Sequence, residues 1–240
     1  MSGIKDERGF NQIFENTLAA KIRKERRCDY MIGKMDIQNN FQTNILEIGC
    51  GTGDALKYIS EKTGANCLGI DLSKTFIDHA NEKYKNKNLS FEVADFNNPD
   101  SFKGQMEYNK FDYVTGNGIL HHLYYNLDNS LLNLYKLLKQ KGKIIFIEPN
   151  IYNPYVALIF KIPYLRKKTF LEPDEMAFSA GFIKEKLRAA GFSESQTEIK
   201  DFLLPNIPES LIKSVIKIGN ILEKTPLTCL AQSIFITAEK

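Results

Sequence analysis

Short apolar runs alternate with amphipathic segments between residues 43 and 150 of the 240-residue chain. Continuous apolar runs of this length are typical of strands buried on both faces, whereas apolar residues at three- and four-residue spacing predict helices. Strict alternation of predicted strands with predicted helices indicates a parallel sheet covered by helices. The pattern therefore predicts an α/β fold with strands at 44–49, 66–71, 89–95, 111–118 and 142–149.

The helices predicted between these strands carry end signals. Gly64 closes the helix predicted over 54–64, and Ser73 caps the start of the one over 73–85. The spacing of apolar residues also predicts helices and strands nearer to both ends of the chain. Further helices are predicted within 9–35 and over 129–140, 181–192 and 208–226, with later strands over 195–202 and 231–240.

The whole chain, 1–240, is expected to form one domain, because its 43% hydrophobic content suffices for a single core. The regular alternation of predicted strands and helices stops after Pro149, where prolines, aromatic residues and lysines are mixed. The expected parts are an N-terminal helical lid over 1–40, a core over 43–150, an inserted lid over 151–180, and the strands and helix that complete the sheet over 181–240.

Composition narrows the class of protein. The formal net charge of +3, from 32 basic and 29 acidic residues, is too balanced for a dedicated nucleic-acid-binding protein. The four cysteines form no CxxC pair, so neither a metal site nor a disulfide framework is expected. No apolar leader or membrane-spanning run is evident, and a soluble, cytoplasmic protein is expected.

A glycine-rich turn follows the first strand directly. In EIGCGTGD, Gly49, Gly51 and Gly53 occupy alternate positions, and Glu47 stands two residues before the first of them. Such a turn lets a ligand approach the backbone, while free amides and the positive end of the next helix favour an anion. The spacing differs from the GxGxxG pattern of dinucleotide sites, which argues against a nicotinamide cofactor.

Acidic residues follow the second and third predicted strands. Asp71 ends CLGID and is placed to accept hydrogen bonds from both hydroxyls of a ribose. Asp95 ends FEVAD and precedes Phe96, so the pair can meet the amine and the ring of an adenine. Because the carboxyl ends of parallel strands open onto one crevice, these residues and the glycine turn predict a nucleoside site.

These motifs resemble the class I S-adenosylmethionine-dependent methyltransferases, in particular the type-11 group that acts mostly on small molecules. The resemblance is carried by EIGCGTG, GIDLS, VADF, FDYVTGNGILHHL and LLKQKGKIIFIEPN, which together span residues 43–150. It implies S-adenosyl-L-methionine (SAM) as cofactor and S-adenosyl-L-homocysteine (SAH) as product. It also implies a Rossmann-like, seven-stranded, mostly parallel sheet whose last strand is antiparallel.

The resemblance further implies roles for particular residues. Glu47 would orient the amino group of the cofactor, and Asn117 would offer that group its backbone carbonyl. The cofactor-binding residues expected from the match are Glu47, Gly49, Cys50, Gly51, Gly53, Asp71, Leu72, Asp95, Phe96 and Asn117.

Three residues are candidates for catalysis. His121 and His122 lie in the loop after the fourth strand, where an imidazole can take the proton of an acceptor hydroxyl. The alternative for each is a structural hydrogen bond to the backbone. Glu148, at the end of the fifth strand, is placed either to contact the acceptor or to cap a nearby helix. Transfer to an oxygen or nitrogen atom of a small molecule, such as a sugar or secondary metabolite, is the expected reaction.

Two other functions stay open at this point. Lysines mixed with apolar residues in the 151–180 insertion and in the 208–226 helix suit a lipid-linked acceptor and peripheral contact with a membrane surface. A non-catalytic SAM-binding module is the other alternative. The basic cluster 21–27, KIRKERR, is interpreted as a solvated helix face or as a site for an anionic partner or a membrane surface. The sequence does not determine the oligomeric state.

Overall fold

A seven-stranded sheet forms the centre of the computed structural model, which describes residues 17–37, 42–96, 98, 107–169, 171 and 175–240. The strand order is β3-β2-β1-β4-β5-β7-β6; all neighbouring pairs are parallel except those of β7, which is antiparallel to both β5 and β6. The predicted sheet with its antiparallel last strand is therefore confirmed. The strands are β1 Asn44–Ile48, β2 Asn66–Asp71, β3 Leu89–Val93, β4 Phe111–Asn117, β5 Leu138–Pro149, β6 Glu194–Lys200 and β7 Ser233–Glu239.

Eight α-helices accompany the sheet in the described part of the chain. The predicted caps are present: the Ser73 hydroxyl accepts a hydrogen bond from the amide of Phe76, and Gly64 ends α2 with a φ of 68°. The helices are α1 Leu18–Lys34, α2 Asp54–Thr63, α3 Lys74–Lys83, α4 Leu127–Leu137, α5 Pro154–Lys161, α6 Pro163–Lys168, α7 Ala180–Ala189 and α8 Glu209–Leu222, with 3-10 helices at Leu120–Asn126 and Pro226–Leu230.

Two apolar layers cover the two faces of the sheet. On one face, α4 and α7 contribute Leu131, Leu134 and Ile183 to a cluster that includes Phe146 of β5. On the other face, helices α1, α2 and α3 contribute residues such as Met31. Each layer removes long aliphatic side chains from water, which is the main stabilising contribution to such a fold. Helices on both faces are as the sequence predicts.

The boundary between α4 and β5 differs from the prediction. Helix α4 ends at Leu137 rather than at residue 140, because Leu138 is extended and pairs with Phe111 as the start of β5. Lys141 then adopts a positive φ of 63° before the parallel pairing resumes at Lys143. Only part of the predicted 1–40 helical region lies within the described residues, as α1; the apolar positions Phe10, Ile13 and Phe14 lie outside them.

The strand order determines where a ligand can bind. From β1 the chain proceeds outward to β2 and β3, then crosses back to β4 on the other side of β1. At such a switch point the loops after β1 and β4 diverge and leave a crevice at the carboxyl ends of the strands. The glycine turn after β1 and the histidine loop after β4 therefore lie at this crevice.

Candidate active site

The three glycines of the turn after β1 all have left-handed backbones. Their φ angles are 64° at Gly49, 53° at Gly51 and 78° at Gly53. A Cβ on Gly49 would come within 2.7 Å of the Ile119 side chain, and one on Gly53 within 2.5 Å of the Phe91 ring. The alternate glycines thus combine a conformation that L-residues disfavour with close packing by neighbouring loops.

Replacing Gly49 by alanine is expected to lower the stability of the fold by about 1–2 kcal/mol from backbone strain alone, and by more if Ile119 is displaced. Gly33 offers a matched control, because it lies in α1 with no heavy atom within 4 Å of its Cβ position. Gly33→Ala should stabilise by up to about 1 kcal/mol. Urea unfolding of the two variants measures both changes, and equal effects would contradict the strained-turn interpretation.

Asp71 connects the glycine turn to the end of β2. Its Oδ2 accepts a hydrogen bond of 2.8 Å from the amide of Gly51, and its Oδ1 accepts one of 2.9 Å from the amide of Ser73. A carboxylate can accept about four hydrogen bonds, so two remain for a ligand such as a ribose. Asp71 therefore both positions the turn and faces the crevice with acceptor capacity.

Apolar and acidic side chains flank the crevice beyond Asp71. Leu72 and Val93, at the carboxyl ends of β2 and β3, are each about half exposed, which suits contact with a flat ring. Asp95 is partly buried two residues after β3. Phe96 packs into the apolar layer of α4 and α7, so most of its ring lies beneath the crevice.

Two buried residues support the glycine turn from below. Glu47 and Cys50 are both largely withdrawn from solvent. Burial first, and then the nearby charges of Glu47 and Asp71, raise the pKa of the Cys50 thiol well above its ordinary value. Because the thiol stays protonated at neutral pH, Cys50 acts in packing and not as a nucleophile.

Glu148 organises the loop after β4. It is 1% exposed, and its Oε1 accepts hydrogen bonds from the backbone amides of Ile119 and Leu120 at 3.0 and 2.8 Å. Its Oε2 lies 2.8 Å from Nδ1 of His121. The carboxylate therefore caps the start of the 3-10 helix Leu120–Asn126, which corresponds to the capping alternative of the sequence analysis.

The two histidines meet a second carboxylate, Glu175, that the sequence analysis did not single out. His121 Nε2 lies 3.7 Å from Glu175 Oε2, and His122 Nδ1 lies 3.1 Å from Glu175 Oε1. His121 is buried, while the side chain of His122 is 30% exposed. Glu175 follows α6 in a segment without a motif, so only the fold brings it here. Ligand atoms of the three residues lie within 4.8 Å of one another, a spacing that can hold a metal ion although none was expected.

A cavity of about 460 Å³ lies beside this loop at the carboxyl ends of β4 and β5. Tyr155 of α5 lines it, whereas Tyr152 is not among the lining residues and is largely exposed. Asn153 accepts a hydrogen bond from the amide of Val156 and caps α5. The lining residues are Arg23, Arg27, Gly118, Ile147, Glu148, Pro149, Tyr155, Val156, Leu204, Pro205, Asn206, Gln232 and Ser233.

Two arginines of the basic cluster point into this cavity. Arg23 and Arg27 are one helical turn apart on α1, and both bind the carboxylate of Asp201, at 2.7 and 2.8 Å. Arg27 also donates to Oδ1 of Asn117, at 2.8 Å. Arg26, by contrast, is exposed and bonds to Asn220. The basic cluster 21–27 is therefore divided between the side of α1 that faces the cavity and an exposed side. The positive charge of the cluster in the sequence did not predict this division.

Comparison with known proteins agrees with the geometry of the crevice. Residues 46–144 match the Methyltransferase domain family. The chain is 31% identical over 115 residues to the phosphoethanolamine N-methyltransferase of Plasmodium falciparum (isolate 3D7), a match covering 47% of this chain and 41% of that protein. Over residues 46–144, this chain is therefore similar to class I S-adenosylmethionine-dependent methyltransferases.

Two further relatives show how far the methyltransferase likeness extends. The malonyl-[acyl-carrier protein] O-methyltransferase of Acetivibrio thermocellus is 25% identical over 129 residues, which are 53% of this chain and 42% of that protein. The crystal structure of a SAM-dependent methyltransferase from Archaeoglobus fulgidus superposes with a TM-score of 0.62 at 19% identity, covering 92% of this chain and 94% of that one. The chain thus spans less than half of the two curated relatives.

Proposed function

We propose that this protein transfers a methyl group from SAM to an oxygen or nitrogen atom of a small-molecule acceptor, such as a sugar or secondary metabolite. The observation that carries the proposal is the cavity beside Gly118 and Glu148, whose size is typical of small-molecule sites. It adjoins the glycine turn, because Ile119 of the same loop packs onto Gly49. The relatives described above include an N- and an O-methyltransferase, which supports both acceptor atoms.

The residues of the crevice fit the cofactor. The left-handed glycine turn offers a close backbone approach to the methionine portion, and Asp71 keeps acceptor capacity for the ribose hydroxyls. Leu72 and Asp95 lie where the adenine would bind, with Phe96 beneath. Asn117, held by Arg27, lies where its backbone carbonyl would meet the amino group of the cofactor, and Glu47 supports that end from below.

The protein's task in this reaction is alignment. When bound, the cofactor supplies a methyl group already activated by a sulfonium. The cavity places the acceptor next to the crevice, and buried residues such as Ile147 and Val156 form part of its wall. Correct orientation of the acceptor atom, rather than chemical activation of the methyl group, is what the side chains must provide.

We assign His122 as the histidine that takes a proton from an acceptor hydroxyl, because its side chain is 30% exposed whereas that of His121 is 9% exposed. If its Nδ1–H donates to Glu175, its Nε2 keeps a lone pair for the substrate, the arrangement found in many carboxylate–histidine pairs. His121 lies between the buried carboxylates of Glu148 and Glu175, so its ring is held by contacts on both sides. His121, Glu148 and Glu175 are accordingly assigned as positioning residues.

Transfer of radioactive label tests the proposal. Purified protein is incubated with methyl-labelled SAM and an extract of the native host, and the label is followed into aqueous, organic and protein fractions, with a reaction lacking the protein as control. Label in small aqueous molecules supports the proposal. Label in the protein fraction contradicts a small-molecule acceptor. No transfer by a protein that binds SAH would favour the non-catalytic module.

Replacing His122 by alanine is expected to slow this transfer by about 100-fold or more while leaving the affinity for SAH unchanged. The physical reason is loss of the proton acceptor next to Glu175 without any change in the glycine turn. His79 of α3 provides a matched control, and His79→Ala should retain the normal rate. An unchanged rate in His122→Ala would contradict the role of a base and indicate an acceptor amine that arrives neutral.

A lipid-linked acceptor at a membrane surface is the second candidate. Helix α8 exposes Leu211, Ile218 and Ile221 next to Lys213 and Lys217, a combination typical of helices that lie on anionic membranes. No helix among the described residues is long and apolar enough to cross a bilayer, so contact through these helices would be peripheral. Label extracted into the organic phase would favour this candidate over a water-soluble acceptor.

A further inference from the structure

Two guanidinium groups in the wall of the cavity share one carboxylate. Arg23 donates through Nε to Oδ2 of Asp201 at 2.7 Å, and Arg27 donates to the same oxygen through Nε and Nη2 at 2.9 and 2.8 Å. Their other hydrogen bonds go to neutral groups: Arg23 to Gln232, and Arg27 to Asn117 and Ser233. The cluster therefore carries more positive than negative charge.

Burial makes this imbalance energetically significant. The side chains of Arg23, Arg27 and Asp201 are 20%, 11% and 8% exposed. Burial and the charge of Arg27 lower the pKa of Arg23 to about 10, although Asp201 opposes that change. Glu223 also lies nearby, where its Oε1 accepts the backbone amide of Asp201. Removing the excess positive charge of the two guanidiniums from water costs free energy, and a second anion next to them would balance that charge.

The backbone of Asp201 is unusual at the point where its side chain binds the two arginines. Asp201 has a positive φ of 77°, a conformation that is strained for most residues and concentrated at functional sites. Asp201 directly follows β6 and links it to α1 by binding both arginines. Arg23 and Arg27 line the cavity together with Gly118 and Tyr155. The positive groups thus face the cavity where the acceptor would bind.

We propose that Arg23 and Arg27 form an anion site that binds a carboxylate or phosphate group of a molecule in the cavity. Arginine suits such a group because its planar fork donates two parallel, charge-assisted hydrogen bonds. Two molecules can supply the anion: an acceptor that carries a phosphate or carboxylate, or the cofactor through the carboxylate of its methionine portion. The inference rests on the proposed function only in the first case.

Phosphate binding to the SAH-saturated protein separates these sources. Calorimetry in a chloride buffer measures the affinity of inorganic phosphate for the wild type, Arg23→Gln and Arg23→Lys. Arg26→Gln is the matched control, since Arg26 lies on the same helix but outside the cavity. The affinities of SAH and of 5′-methylthioadenosine, which lacks the methionine carboxylate, are measured in parallel.

An acceptor site predicts that phosphate binds the SAH-loaded protein and that Arg23→Gln weakens it by at least about tenfold, with SAH affinity unchanged. A cofactor site predicts no phosphate binding to the loaded protein, and a loss of affinity in Arg23→Gln for SAH but not for 5′-methylthioadenosine. Arg23→Lys retains the charge but loses the planar fork, so an affinity between those of the wild type and Arg23→Gln is expected in either case. This variant also provides the test if Arg23→Gln does not fold.

Other results would overturn the anion site. Equal weakening of phosphate by Arg23→Gln and Arg26→Gln would indicate a general effect of surface charge. Unchanged affinities of all three ligands in Arg23→Gln would show that the arginine binds no anion. Because these readouts need no methyl transfer, they are independent of the label experiment, and a failure of the proposed acceptor chemistry would leave them interpretable.

Discussion

Asp71→Ala is expected to weaken SAH binding by about 100-fold or more. The substitution removes the proposed acceptor for the ribose hydroxyls, and each hydrogen bond to a charged group contributes about 1.5–3 kcal/mol. It also removes the bonds that tie the amides of Gly51 and Ser73 to the end of β2. Because the turn carries three left-handed glycines, its geometry depends on such bonds more than that of an ordinary loop. Calorimetry with SAH measures the effect.

Two control variants distinguish loss of the contact between Asp71 and SAH from disruption of the glycine turn. Asp71→Asn keeps the shape and can still accept at one oxygen, so an intermediate affinity is expected. Asp78→Ala removes an exposed carboxylate of α3 that pairs with Lys74, and SAH affinity should not change. Normal SAH affinity in a folded Asp71→Ala protein would contradict the assignment of the ribose site. Thermal unfolding without ligand establishes that each variant is folded.

Replacing Asp201 by alanine is expected to destabilise the fold by about 3–5 kcal/mol, because two largely buried guanidiniums would lose their shared carboxylate. Asp128→Ala is the matched control: that carboxylate pairs with Lys186 but is mostly exposed, so its loss should cost at most about 1 kcal/mol. Urea unfolding at neutral pH measures both. A loss as small as that of the control would show that the arginines are adequately solvated without Asp201.

The pH dependence of the same measurement has a defined sign. Burial opposes ionisation of Asp201, but the charges of Arg27 and Arg23 outweigh it and lower the pKa of the carboxyl. A carboxyl whose pKa is lower in the folded state stabilises the protein above its unfolded pKa of about 3.9, and this stabilisation is lost as the pH falls through the folded pKa. The difference in stability between wild type and Asp201→Ala should therefore be full at neutral pH and shrink below about pH 4.

The strands and helices were predictable where local pattern and packing agree. Apolar runs such as that of β5 are buried on both faces, so their hydrophobicity is visible without knowledge of partners. The caps at Ser73 and Gly64 depend on neighbours within a few residues, and both are present. The end of α4 was misplaced because Leu138 satisfies a helical pattern equally well and becomes a strand residue only through pairing with Phe111.

The sequence alone predicted the residues of the proposed cofactor site, whereas only the tertiary structure brings together the residues of the proposed acceptor site. The glycine turn and Asp71 lie within one strand–helix–strand unit, where chain order dictates the geometry of the site. The residues around the cavity come from α1, β5, α5 and the segments beside β7, which are distant in sequence. Arg23 meets Asp201, and His122 meets Glu175, only because packing of these elements brings them together. Long-range contacts of this kind leave no local pattern, which is the physical reason that the sequence did not show which residues surround the cavity.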